Sequence, residues 1–135
     1  MLRKKFTTEK LVNIILQGIQ EKKGKEIVNI NLTELDNAVC QYFIICHGDS
    51  NIQVNAIANS VEEFVKKNLN ERVDHKEGFE NAQWILLDYT SIVVHIFQKE
   101  FRDFYNLEDL WADGKVIRID EEVILCNEKL TNDRK

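Results

Sequence analysis

Asp88 and His95 are the residues on which acid–base chemistry would be built, a carboxylate and an imidazole on the neighbouring apolar runs WILLDY (84–89) and SIVVHIF (91–97). Such a pair can move a proton once a nucleophile or a metal completes the site. The chain offers few candidates for that third group. Cys46 lies beside His47, but adjacent strand residues point to opposite faces, which parts a thiol from its base. His47, His75 and His95 fall in three different elements with no HxH or HxxxH spacing, whereas a metal centre needs three or four convergent ligands. Neither a metal nor a cofactor is expected. The turn His47-Gly48-Asp49-Ser50 precedes a helical pattern and could offer amides to a phosphate, yet it holds one glycine where a phosphate-binding loop has several. Nucleotidyl transfer would want a Gly-Ser turn followed by paired aspartates, and Asp49 stands alone. An enzyme of nucleotide-binding or nucleotidyltransferase type, using the HGDS turn and Asp88, is kept as the alternative.

The elements that must hold these groups follow from periodicity. Thr7 and Thr8 precede Leu11, Ile14, Ile15 and Ile19, and Gly24 follows, which predicts an amphipathic helix over 8–23. Val28, Ile30 and Leu32 alternate with Asn29 and Asn31, a strand with one wet face. Tyr42 to Cys46 is a continuous apolar run, short enough for a strand buried on both faces. Val54, Ile57, Ala58, Val61, Phe64 and Val65 then repeat at helical spacing across 51–69, with Glu62–Lys66 and Glu63–Lys67 as i,i+4 pairs. Glu71 to Lys76 is expected as a short polar edge strand. Residues 83–89 and 91–98 predict an antiparallel hairpin, although Thr90-Ser91 is poor chemistry for a two-residue turn.

If Tyr89 pairs with Ile92, then Trp84 faces Phe97, Leu86 faces His95 and Asp88 faces Val93. These six side chains share one face of the hairpin. Ile85, Leu87, Ile92, Val94 and Ile96, with Tyr89 at the end, share the other and must be core. Asp88 and His95 become diagonal neighbours, roughly 7 to 8 Å apart at the backbone and not obliged to bond. Beyond the hairpin, Phe101, Phe104 and Tyr105 form one stripe of a short helix, and Leu107, Leu110 and Trp111 another. Asn106 with Asp109 resembles a cap between them. Five large aromatics from Phe97 to Trp111 exceed what a small core needs, and such residues are enriched where partners dock.

Composition sets the outer limits. The 135 residues suit one domain, and a net charge of −5 disfavours polyanions, so no direct nucleic-acid contact is expected. Cys40, Cys46 and Cys126 form no CxxC pair, which fits a reducing cytoplasm. Without an apolar stretch near 20 residues, neither a membrane span nor export is expected. The element order predicts an α/β (α+β) single domain, a small mixed sheet with flanking helices.

Five blocks carry a family resemblance: YFIICHGDSNIQVNAIANSVEE (42–63), EG (77–78), WILLDY (84–89), VVHIF (93–97) and FRDFYNLEDLW (101–111). In their order and spacing they closely resemble the ribosomal silencing factor family, also called the Iojap family. The likeness spans residues 8–114, leaving 115–135 as a C-terminal extension of unknown structure, strand or helix. It implies a nucleotidyltransferase-like shape without the catalytic residues, and a protein that is not an enzyme. It implies binding to the large ribosomal subunit at the protein L-fourteen, which sterically blocks joining of the small subunit and represses translation when nutrients are scarce. Organelle relatives act in ribosome assembly, and members often form homodimers when free. On that reading Trp84 and Tyr105 are apolar anchors, and Asp88 and His95 are polar contacts or their supports. Glu77 and Glu108 complement a basic ribosomal protein, while Leu86, Phe97 and Trp111 complete the surface. Four positions depart from the family pattern: Gln41 where an aspartate is usual, His47 in place of a small hydroxyl residue, and Thr90-Ser91 at a turn that is usually Gly-Asp.

Overall fold

A computed structural model describes residues 6–36 and 38–119, in which six strands form one mixed sheet with helices on both faces. In chain order the elements are α1 (Thr8–Glu21), β1 (Lys25–Asn31), β2 (Tyr42–Gly48), α2 (Asn51–Leu69), β3 (His75–Glu77), β4 (Trp84–Asp88), β5 (Ile92–Gln98), α3 (Lys99–Tyr105), α4 (Leu107–Leu110) and β6 (Lys115–Ile119). Across the sheet the strands run β3-β4-β5-β2-β1-β6. Only β2 and β5 are parallel, and α2 makes the crossover between them. These two central strands are the ones covered on both sides, as their unbroken apolar runs require.

The hairpin register is the one alternation predicts: Trp84 opposite Phe97, Leu86 opposite His95, Asp88 opposite Val93. Ile85, Leu87, Tyr89, Ile92, Val94 and Ile96 pack with Ile15, Ile19, Ile57 and Val61 in a core beneath α1 and α2. Val93 and Phe97 pack on the opposite side with Val28, Ile30 and Ile45. Thr90-Ser91 closes the turn without glycine because Thr90 takes φ 73° while the Asp88 carboxylate accepts its N–H at 2.8 Å and Asp74 accepts its hydroxyl. A side-chain clamp replaces the usual turn residues.

Some local expectations change. Thr7 caps α1 by accepting the Lys10 N–H at 3.1 Å, and Ser50 caps α2 through Gln53 N–H at the same distance. Glu62 bonds Lys76 at 3.1 Å rather than Lys66, tying α2 to the neighbourhood of the edge strand β3. Asn106 does not cap α4 with its side chain. Its backbone is left-handed (φ 47°, ψ 53°), ending α3 and starting α4, a conformation asparagine tolerates. Residues 115–119, left open between strand and helix, form β6 antiparallel to β1, so the sheet continues past residue 114. Residues 120–135 lie outside the described ones.

Candidate docking site

The hairpin face opposite α1 and α2 builds an aromatic cluster from the bottom up. His95 sits on the central strand β5, 4% exposed, with Phe43 of β2 edge-on at 4.6 Å between ring centroids. The Trp84 indole N–H donates to His95 Nδ1 at 3.0 Å. An indole nitrogen only donates, so Nδ1 carries the lone pair and the neutral ring keeps its proton on Nε2. That Nε2 is buried with no hydrogen-bond partner among the described residues. Burial pushes the imidazole down to about 4, so His95 is uncharged at neutral pH. Its work is to fix the Trp84 ring from below. Phe97 stacks under the same indole at 5.0 Å, and Tyr105 of α3 leans on it from above at 4.7 Å.

Trp84 is also held from the loop before it. Gly78 adopts φ 92°, and a Cβ there would lie 2.1 Å from the Trp84 carbonyl oxygen. Only glycine permits this approach. The loop and β4 enclose an open groove of about 740 Å³ lined by Glu77, Phe79, Glu80, Gln83, Trp84 and Tyr105.

Arg102 fastens α3 and α4 to the sheet. It is 4% exposed, and its guanidinium bonds the Glu108 carboxylate at 3.1 and 2.8 Å, the Lys25 carbonyl at 3.3 Å and His47 Nδ1 at 2.9 Å. A buried guanidinium needs this many partners to offset its desolvation. So fixed, the two helices divide their apolar residues. Phe101, Leu107 and Trp111 face the sheet, Trp111 edge-on to Phe43 at 5.4 Å. Phe104 at 78% exposed, Leu110 at 72% and Tyr105 at 46% face outward.

The nine residues expected at a partner surface therefore do different things. Trp84 and Tyr105 are in contact and reachable. Leu86 and Trp111 are half-buried beside them, and Glu77 is exposed and paired with His75 at 2.6 Å. His95 and Phe97 lie beneath the surface and act on it through Trp84. Asp88 is occupied in the hairpin turn and has no bond to His95. The Glu108 carboxylate is already neutralised by Arg102. Phe104 and Leu110 share sequence stripes with Phe101 and Trp111, and spacing alone does not tell that the first two turn outward while the last two face the sheet. Arg102 is invisible to sequence reasoning, since its partners on the sheet lie 55 and 77 residues away and a lone arginine among acids reads as surface.

The groups proposed for catalysis do not meet. Asp88 pairs across β5 with Val93, at the end of the sheet where β2 begins, while Asp49 follows Gly48 at the other end of β2. Six strand residues separate them, about 20 Å. Asp49 holds Lys25 at 2.7 Å, and its own N–H is taken by Gln53 Oε1 at 2.7 Å, so neither its carboxylate nor its amide in the HGDS turn is left free. Cys46 faces the α1 and α2 core, where burial pushes its thiol up to about 12, while His47 turns to Arg102 on the opposite face. Among the described residues no group of three His, Cys, Asp or Glu is placed to hold a metal, and no helix is long and apolar enough to cross a membrane.

A family model described as "Ribosomal silencing factor during starvation" matches residues 5–135. The chain belongs to the ribosomal silencing factor family. It is 36% identical over 110 residues to the silencing factor of Bacillus subtilis, covering 82% of this chain and 92% of that protein. Against the silencing factor of Halalkalibacterium halodurans it is 32% identical over 115 residues, 85% of this chain and 97% of the relative. A crystal structure of a protein from Chromobacterium violaceum superposes with a TM-score of 0.75 at 32% identity, covering 79% and 88% of the two chains. The chloroplastic Iojap protein of Zea mays is 34% identical over 79 residues. The mixed sheet with its flanking helices is thus the family's fold.

Proposed function

We propose that the protein binds the large ribosomal subunit at L-fourteen through the surface formed by Trp84, Tyr105, Phe104 and Leu110, and that its bulk then keeps the small subunit from joining. The observation that carries this reading is the Trp84–Tyr105 contact at the lip of an open groove, with Phe104 and Leu110 exposed beside it. Large aromatics held rigidly from below lose little freedom on binding and make good anchors. Glu77, Glu80, Glu100 and Asp109 are exposed around them and suit a basic partner. The mechanism is steric and non-enzymatic, acting in the cytoplasm to lower translation when nutrients are scarce. In the free protein the same apolar side chains supply a surface for a homodimer.

The test adds the protein to purified subunits. It should sediment with the large subunit, and joining should fall as its concentration rises. Normal joining at saturation would remove the silencing mechanism. The alternative, a nucleotide-using enzyme, predicts turnover or thermal stabilisation by nucleotide and magnesium that Asp49→Ala abolishes.

A further inference from the structure

We propose that His47 is a positioning residue for the docking surface: through Arg102 and Glu108 it holds α3 and α4 against the sheet, and protonation of its imidazole releases them, so docking weakens in acid. This rests on the docking reading above and adds a means of regulating it.

The geometry begins with a constraint on protons. A guanidinium can only donate, so His47 Nδ1, 2.9 Å from Arg102 Nη1, must be an unprotonated acceptor. Protonated, the imidazole would set an N–H and a positive charge against a second donor of the same sign. One of the two must move. His47 is 3% exposed on β2, in the centre of the sheet, and has little room to do so. Arg102 belongs to a seven-residue helix, and its remaining bonds run to Glu108 of α4 and to the Lys25 carbonyl of β1. Displacing the guanidinium therefore disturbs both short helices at once, and with them Tyr105 against Trp84.

The charges facing His47 set where this happens. Arg102 and Lys99 of α3 disfavour its protonation, while Glu26 of β1 and Asp49 after β2 favour it. Burial is the largest influence and also disfavours the charged ring, so His47 titrates below the ordinary histidine range. His95, the other buried imidazole on this side of the sheet, bonds Trp84 rather than Arg102 and titrates near 4.

The experiment compares the full-length protein with His47→Gln, whose amide oxygen can accept from Arg102 but never titrates. His47→Ser serves as a second non-titrating variant should the first fail to fold. Affinity for purified large subunits, and tryptophan fluorescence of the free protein, are followed from about pH 8 down to about pH 5, well under the ordinary histidine range. Trp84 and Trp111 both lie against α3 and α4 and report their pose. The wild type should lose about tenfold in affinity across this range, with a fluorescence step over the same pH values. His47→Gln should bind within about twofold of wild type at neutral pH and give flat profiles in both measurements. A variant that keeps the wild-type pH dependence overturns the proposal. So does a variant whose fluorescence flattens while its affinity still falls. If no protein binds subunits at any pH, the docking reading is what fails, and the fluorescence step alone then decides whether His47 holds the helices.

Discussion

One face of the sheet is closed by two long helices and aliphatic side chains, the other by two short helices, a loop and aromatic rings. Under α1 and α2, Ile15, Ile19, Ile57, Val61, Ile85 and Ile96 are all 0% exposed. The approach is so close that a Cβ on Gly18 of α1 would lie 2.9 Å from the Val61 Cα of α2. On the opposite face Trp84, Leu86, Phe101, Leu107 and Trp111 are only partly buried, and a buried arginine joins helices to strands beside that apolar packing. Burial that would stabilise the fold is left unmade where a partner can make it. The same six strands thus carry one face that is fully closed and one that the proposed docking would complete.

That contrast can be broken by mutation. Ile57→Ala should cost about 4 kcal/mol in urea unfolding, with affinity for the large subunit unchanged per folded molecule. An equal stability loss for Phe101→Ala would show the two faces to be energetically alike. Next in size is a dependence on pH from His95. Its folded value near 4 lies below the ordinary 6.5, so between these the unfolded chain binds more protons. The associated stability is complete above about pH 6.5 and is lost as pH falls toward 4, roughly 3 kcal/mol in all. Urea midpoints of wild type and His95→Gln at several pH values should converge as the solution is acidified, and a constant gap would place the effect elsewhere.

Trp84→Ala should weaken subunit binding by about 2 kcal/mol, near thirtyfold in Kd. Unchanged co-sedimentation of the folded variant would take Trp84 out of the surface. The smallest effect sharpens the contrast most. Phe104→Ala and Leu110→Ala should leave thermal stability within about 0.5 kcal/mol, since both side chains are exposed, while each weakens binding by about 1 kcal/mol. Variants that lose stability and keep affinity would make these residues part of the fold instead.

How much of this the sequence discloses depends on the range of each interaction. The hairpin and its two faces were legible because strand alternation is local and a slip by one residue would bury Asp88 in the aliphatic core. The amphipathic pattern of α2 was legible for the same reason. The Thr90 turn was not, because its unusual backbone is stabilised by carboxylates from Asp88 and from Asp74, sixteen residues earlier. Strand β6 was hidden since Val116-Ile117 is a short apolar pair whose partner β1 lies far back in the chain. Within the proposed docking surface, residue types single out Trp84 and Tyr105. The outward turn of Phe104 and Leu110, and the engagement of Glu108 by Arg102, required the pose of α3 and α4 that only the tertiary fold supplies.

The adjacency of β1 and β6 has a consequence in time. A nascent chain delivers β1 well before β6, so one edge of β1 waits without its neighbour while all the strands and helices between them are made. Pairing over such a separation is slow, and a bare strand edge invites the wrong companion. During that interval Asn29 and Asn31, which alternate with the apolar residues of β1, keep polar side chains along the strand that must wait longest.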